Sequence, residues 1–586
     1  MPPKNFLPTT LTEAQGLGWN TLDIILISGD AYIDHPSFGS ALIGRYLEAK
    51  GFKVGIIPQP DWKNPESFKV LGQPNLFFCV SAGNIDSLVN NYTADKKPRR
   101  TDMYSPNNEA GQRPDRASIV YTSMLKRLYK NTPVVLGGVE ASLRRFVHYD
   151  YWDDRPRRSL LLDAKADLLL YGLSEKAILY LAEQLRAGLP WADIPQPPNS
   201  TRSYKTLSAV PPERLMLPAV EKVMQDKKVF AEHFALYCRE SRRKKPRIII
   251  EPYPDRYLVT TPPDNLTGKE FDALFFLPFV RAPHPRYKNS KIPAYDFVRF
   301  STITHRGCFG GCAFCAISQH QGRQIINRSE ESILKELQTI IGQDPDFKGT
   351  IFDLGGPTAN MYGMYCKTDK DCQRNSCLYP EICPYLHTSH SRQKTLLSRA
   401  RKLPGIKKVL LNSGIRYDLA LQDTEYMELL FTHHIGGQLS LAPEHICENV
   451  LQVMGKPAYK LYLKFFNKFL KFNQEHGLKQ YLVPYFISAH PGCTLENALK
   501  LAEYLHEHHL KLEQVQNFTP TPMTAATTMY YTGLDPFTKK PVHIPKGEER
   551  AFQKALLQPH LPKNYRQVTK ALKLLKREDL IRKLTR

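Results

Sequence analysis

The chain has 586 residues and a formal charge of +23, from 80 Lys and Arg against 57 Asp and Glu. That length asks for two or three domains, and 42% hydrophobic with 23% charged residues excludes a disordered chain. Eleven cysteines are too sparse for a disulfide scaffold, but seven of the eleven fall between 308 and 383, which in a reducing compartment points to metal or redox chemistry.

The start, MPPKNFLPTTLTEAQ, lacks the basic and apolar regions of a secretory signal, and runs such as ALFFLPFV are too short to span a bilayer. A cytoplasmic protein without membrane contact is expected. The positive charge suits an anionic partner such as RNA as well as it suits a basic enzyme.

Residues 23–57 read strand, helix, strand: DIILIS, then SALIGRYLEAKG with Leu42, Ile43, Tyr46 and Leu47 on one face, then KVGII. LFFCVS (76–81), PVVLGG (133–138) and ADLLLYG (166–172) are further strands, and SEKAILYLAEQLRAG is a helix. This alternation predicts an open, parallel α/β sheet over residues 1–190. The loop after the first strand, SGDAYIDHPSFG, has no G-x-G-x-x-G, so a dinucleotide is not expected; His35 there reads as structural.

Residues 191–293 are proline-rich and carry RRKKP (242–246) and LPFVRAPHPRY (277–287), the pattern of a connecting segment with a few strands. A second strand–helix series fills 294–540. Its strands are VRFSTIT (298–304), GTIFDLGG (349–356), KKVLLNSG (407–414), GGQLSLAP (436–443) and QYLVPYFISAHPG (480–492). Helices such as ESILKELQTII and NALKLAEYLHEHH separate them. Units of this length predict a partial or full β/α barrel, with chemistry at the carboxyl ends of its strands. The extension 541–586 predicts a basic helix whose Val568, Ala571, Leu572 and Leu575 pack on the barrel.

Directly after the first barrel strand comes HRGCFGGCAFCAIS, with Cys308, Cys312 and Cys315 spaced C-x3-C-x-F-C. Zinc sites use four ligands. Three thiolates can instead hold three irons of a 4Fe-4S cube and leave the fourth open to a chelator. Gly307, Gly310, Gly311 and Ala313 let the loop wrap closely.

This motif resembles the signature of radical S-adenosylmethionine (SAM) enzymes. The resemblance implies a 4Fe-4S cluster whose open iron is chelated by the amino and carboxylate groups of SAM. It implies reductive cleavage to a 5′-deoxyadenosyl radical, which abstracts a hydrogen atom from substrate, and an external flavodoxin- or ferredoxin-like electron donor. It assigns Phe314 to the adenine. Gly355, Gly356 and Pro357 fall to the turn that meets the SAM amino group, where Pro357 replaces an acid found in many members. Asn412, Ser413 and Arg416, with Ser440 and Glu444 of SLAPEH, become polar contacts, and Ile487 in ISAHPG flanks the adenine.

LPFVRAPHPRY, DLGGPTANMY, SLAPEH, ISAHPG and FTPTPMTAATTMYYTG, with GGVEASLRR and HYDYW, narrow the resemblance to the YgiQ family. It covers most of the chain and implies no substrate. The N-terminal sheet resembles the cobalamin-binding domains that precede many such barrels. The D-x-H-x-x-G arrangement for a lower axial histidine is absent, because Asp34 and His35 are adjacent. Cobalamin therefore stays open, as does a methyltransferase reaction, against a domain that only shapes the substrate entrance. The rival from another class is a non-enzymatic, metal-stabilised RNA-binding protein.

Cys366, Cys372, Cys377 and Cys383 form a second group, spaced C-x5-C-x4-C-x5-C, with His387 and His390 as reserve ligands. Four thiols in eighteen residues rich in turn formers predict a second metal site, zinc or an auxiliary iron–sulfur cluster.

Overall fold

Strands β1 (Ile24–Ser28), β2 (Val54–Pro58), β3 (Phe77–Ser81), β4 (Val134–Gly137) and β5 (Leu168–Leu170) run parallel in the order β2-β1-β3-β4-β5. The computed structural model describes residues 5–208 and 210–585. Both faces of this sheet are covered. Ile24 and Leu26 face one apolar cluster with Leu42, Leu47 and Val54, while Ile25 and Ile27 face another with Phe68, Phe78 and Tyr121. A strand buried on both sides reads as a continuous apolar run, which is why IILIS carries no alternation.

The segment 191–293, expected as a connector, builds on the same sheet. β6 (Ser200–Tyr204) pairs antiparallel with β5, and β9 (Arg256–Thr260), β8 (Ile248–Tyr253) and β7 (Arg214–Met216) follow outward to make nine strands. The prolines that suggested a linker fall outside these strands, apart from Pro252 in β8.

The second series is parallel throughout. β10 (Ser301–Ile303) pairs with β11 (Asp353–Gly355), and Thr350–Ile351, just before β11, pairs with β12 (Lys408–Val409). Then β13 (Gln438–Glu444), β14 (Tyr481–Ser488) and β15 (Gln516–Asn517) form a continuous ladder. Leu354, Val409, Leu411, Leu439, Leu441 and Ile487 share one apolar core inside this partial barrel.

The C-terminal helices Glu548–Leu556 and Tyr565–Leu574 close on that core through Phe552, Leu556, Val568, Ala571 and Leu572. Their basic face is partly matched by acids, with Lys570 against Glu548 at 3.4 Å and Arg577 against Glu503 at 3.1 Å. No helix among the described residues is long and apolar enough to cross a membrane.

Candidate active site

The three-cysteine loop is held by backbone contacts on every side. Ile303 pairs with Gly355, and the Thr304 amide donates to the Gly355 carbonyl at 2.7 Å, fixing the end of β10 against the glycine turn. The Cys308 amide donates to the Gly322 carbonyl (3.1 Å), Ala313 to Met454 (2.9 Å), and the Ala526 amide to Ala313 (2.9 Å). Gly307 and Gly311 have φ of +91° and +67°, and a Cβ on either would run into the Gln324 or Asn375 carbonyl.

The thiols lie close enough for their charges to act on one another. Burial raises Cys308, with the charge of Cys312 adding to it, and burial pushes Cys315 up to about 12, with Cys312 and Cys308 adding. Cys308 and Cys315, whose ionisation is disfavoured, are ready for a cationic group that restores the thiolates. Among the described residues no three His, Cys, Asp or Glu side chains close around a point as ligands of a single ion do. A four-iron cube takes each thiolate on a different iron, so its ligands stand farther apart than those of one ion. Three thiols within one eight-residue loop are the donor set such a cube takes.

Around them stand several of the residues expected from the sequence. Arg416 places Nη1 3.7 Å from the Cys312 sulfur while Nε and Nη2 hold Asp418 at 2.8 and 2.7 Å. Glu444 is buried at φ +69°, 3.7 Å from Lys456 Nζ. Burial raises its carboxyl, against the opposing pull of Lys456 and Arg416. Phe314 meets the His490 ring edge-on at 5.8 Å, so it does touch the ISAHPG segment, where Ile487 is buried. Gly356 packs on the His305 ring.

Ser413 is otherwise engaged: its hydroxyl and amide both donate to the Asp353 carboxylate, so it braces β11 instead of facing the thiols. The Asn412 amide does the same. Thr358 and His490 fall in the glycine turn and the ISAHPG segment singled out in the sequence, without a role of their own there; Asp418 and Lys456 were not picked out. Thr358 Oγ1 lies 3.9 Å from the Cys308 sulfur. His490 donates from Nδ1 to the Pro491 carbonyl (2.7 Å), and burial lowers it to about 4, leaving a neutral ring with Nε2 buried and unpartnered. The spacing Arg416-x-Asp418 could have shown the first pair; nothing local links Lys456 to Glu444.

A cavity of about 500 Å³ opens between the two units. One wall is the carboxyl edge of the N-terminal sheet, with Ser81, Gly83, Gly137, Gly138 and Gly172; the other is Ile303, His305, Arg306, His320 and Pro357. Strands β1 and β3 diverge in connectivity at this edge, the place where open α/β sheets hold ligands. Arg306 bridges the units through a buried ion pair with Glu175 at 2.6 Å. His35 is not among its lining residues, although Pro36 and Ser37 are. It is buried, accepts from the Ser37 amide at 3.2 Å, and adjoins Asp34, which is locked to Arg45.

Three family models cover the chain in order: radical SAM N-terminal over residues 6–301, radical SAM superfamily over 302–505, and a domain of unknown function (DUF3362) over 513–584. A UPF0313 protein of Methanocella arvoryzae is 50% identical, over 98% of this chain and 96% of its own. UPF0313 protein YgiQ of Escherichia coli K12 is 44% identical, over 99% of this chain and 87% of its own.

The chain belongs to the UPF0313 family of radical SAM proteins.

Family membership makes it a radical SAM enzyme with a 4Fe-4S cluster and SAM as cofactors, and sets aside the non-enzymatic reading. Among solved structures, the cobalamin- and [4Fe-4S]-bound radical SAM methyltransferase TsrM of Kitasatospora setae is similar at 15% identity and a TM-score of 0.49, over 86% of this chain and 74% of that one. Within the UPF0313 chain, the second cysteine group lies beside the first. Of its reserve ligands, His387 stacks on Tyr365 next to Cys366. His390 is buried against Tyr426 in the barrel, away from the thiols.

Proposed function

We propose that Cys308, Cys312 and Cys315 ligate a 4Fe-4S cluster and that this enzyme cleaves SAM reductively to abstract a hydrogen atom from a substrate held in the interdomain cavity. The observation that supports the reading is that the three cysteines share one short loop after β10 whose flanking residues Arg306 and Ile317 line that cavity. When bound, the cluster supplies one electron to the sulfonium of SAM, drawn from an external flavodoxin- or ferredoxin-like donor.

The chain's own residues orient SAM and exclude water. The backbone carbonyl of Gly356 suits the SAM amino group, because Pro357 offers no carboxylate there and the Gly355 carbonyl is taken by the Thr304 amide and hydroxyl. Arg416, with its charge largely answered by Asp418, offers a donor beside Cys312. Glu444 with Lys456 forms a buried polar wall facing Cys315. Phe314, His490 and Ile487 make an apolar and aromatic surface for the adenine, with His490 Nε2 as a bare acceptor.

Anaerobic incubation of reconstituted protein with SAM and dithionite should yield 5′-deoxyadenosine. Fully loaded protein that makes none, or a C308A/C312A/C315A variant that still makes it, would reject the proposal.

The cavity favours a second reading, in which a corrinoid sits at the carboxyl edge of the N-terminal sheet and the reaction is a methyl transfer. A lower axial histidine would not come from His35, which is buried and not among the residues lining the cavity. Cobalamin absorption bands after reconstitution with excess cobalamin would support this reading; their absence would leave the N-terminal unit as a wall of the substrate entrance.

A further inference from the structure

The excursion 365–387 leaves the barrel after the glycine turn and returns through a two-residue hairpin, in which Tyr365 pairs with His387 and Cys366 with Leu386. Between the strands the chain folds back on itself. The Cys383 amide donates to the Cys377 carbonyl at 2.8 Å, and the Leu386 amide to Cys383 at 2.9 Å. Arg374 closes the turn by donating to the carbonyls of Ser376, Tyr379 and Glu381. These contacts bring Cys377 and Cys383 together and set Cys366 on the hairpin that closes the excursion. Cys377 is raised first by burial and opposed by Arg323, and Cys372, Cys383 and Cys366 all lie near enough to raise it further.

The surroundings are cationic. Arg323 Nη2 lies 3.8 Å from the Cys377 sulfur and forms no ion pair with a carboxylate among the described residues. The RRKKP segment docks here too: the Lys244 amide donates to Asp371 at 2.9 Å, and Arg242 is close enough for Cys372 to act on it. Four thiolates around a metal centre carry net negative charge, and guanidinium groups without carboxylate partners are what such a centre needs.

The excursion is also fastened to the first loop. Ser376 Oγ donates to the Gly310 carbonyl at 2.5 Å, and the Cys377 amide donates to the Phe309 carbonyl at 3.2 Å. Phe309, Met361, Met364, Leu378 and Cys383 form one apolar cluster, with Cys308 and Cys377 packed on it.

We propose that Cys366, Cys372, Cys377 and Cys383 ligate a second, fully coordinated iron–sulfur cluster beside the SAM-binding loop. The excursion is bonded directly to the three-cysteine loop through Ser376 and Cys377, a placement that suits an electron-carrying cluster better than a structural zinc. With four protein ligands no iron is open, so this cluster transfers electrons and does not bind SAM. The assignment stands independently of where SAM binds.

The test is iron, sulfide and zinc content, with electron paramagnetic resonance after dithionite reduction, on anaerobically reconstituted full-length protein. Wild type should hold about eight irons per chain. The C308A/C312A/C315A variant should keep half the iron and a reduced-cluster signal that SAM leaves unchanged. The C366S/C372S/C377S/C383S variant should lose that signal and keep the one SAM perturbs. Should the quadruple variant fail to fold, the triple variant decides alone. A triple variant with no iron, or with one zinc per chain in place of the cluster, would overturn the proposal. A wild type with only about four irons, all lost in the triple variant, would do the same.

Discussion

Two cysteine-rich segments lie side by side in this molecule, and they differ in what holds them. The 308–315 loop hangs from the end of a barrel strand and is pinned by backbone hydrogen bonds to Gly322, Met454 and Ala526, which come from separate parts of the chain. The 365–387 excursion is mostly self-contained, tied by its own hairpin and by Arg374. Their arginines differ in the same sense. Arg416 beside Cys312 is buried and doubly bonded to Asp418, whereas Arg323 beside Cys377 donates to a backbone carbonyl of Arg374 at 3.1 Å. The first loop takes its shape from distant elements; the second segment takes it mostly from its own turns.

That difference can be broken most directly with single cysteine variants. C312A is expected to bring 5′-deoxyadenosine formation to background. C372A is expected to leave it detectable while lowering iron content. Equal loss of product in both would erase the functional distinction between the segments. Circular dichroism should show both folded, because the apolar core of the barrel lies elsewhere.

The arginines sharpen it next. R416M strands Asp418 as a buried, unpaired carboxylate and is expected to cost about 3–5 kcal/mol in urea unfolding. R323M removes one hydrogen bond and is expected to cost ~1 kcal/mol, with its main effect on metal retention at the second segment. Similar stability losses would show that Arg416 is no better anchored than Arg323.

A pH control lies outside both segments. Burial alone would raise Glu336, but Arg281 and Arg328 hold it down at about 2, with Arg328 Nη1 at 2.6 Å. Folding favours this carboxylate, so its stabilisation is complete above the ordinary glutamate range near ~4.3 and disappears as pH falls toward 2. E336Q is expected to lower stability by about 3 kcal/mol at pH 7 and to flatten the acid limb of the stability curve. Unchanged acid sensitivity in E336Q would assign that limb to other carboxylates.

The smallest expected effect is at Thr358. Its hydroxyl is 3.9 Å from the Cys308 sulfur, so T358V should change stability by under about 1 kcal/mol. A modest shift in the reduction midpoint of the SAM-binding cluster is expected, with none in the signal that survives C308A/C312A/C315A.

The strand–helix alternation of both units, the three-cysteine loop and the glycine turn were all legible in the amino-acid sequence, because each is local. A strand covered on both faces is a run of apolar residues, and a ligand triplet within eight positions states its own spacing. The C-terminal helix was legible for the same reason, since Val568, Ala571 and Leu572 share one stripe and are buried together. What tertiary structure alone decided depends on residues far apart in sequence. Four strands from 191–293 joined the first sheet, although their prolines read as a linker, because sheet pairing depends on an available edge. Ser413, expected beside SAM, was claimed by Asp353, sixty residues earlier. Arg306 reached Glu175 only where the two units pack, and Lys456 reached Glu444 and Arg323 reached Cys377 only within the folded barrel unit. The interdomain cavity belongs to neither unit's sequence, since it exists only where the carboxyl edge of one sheet meets the cluster loop of the other.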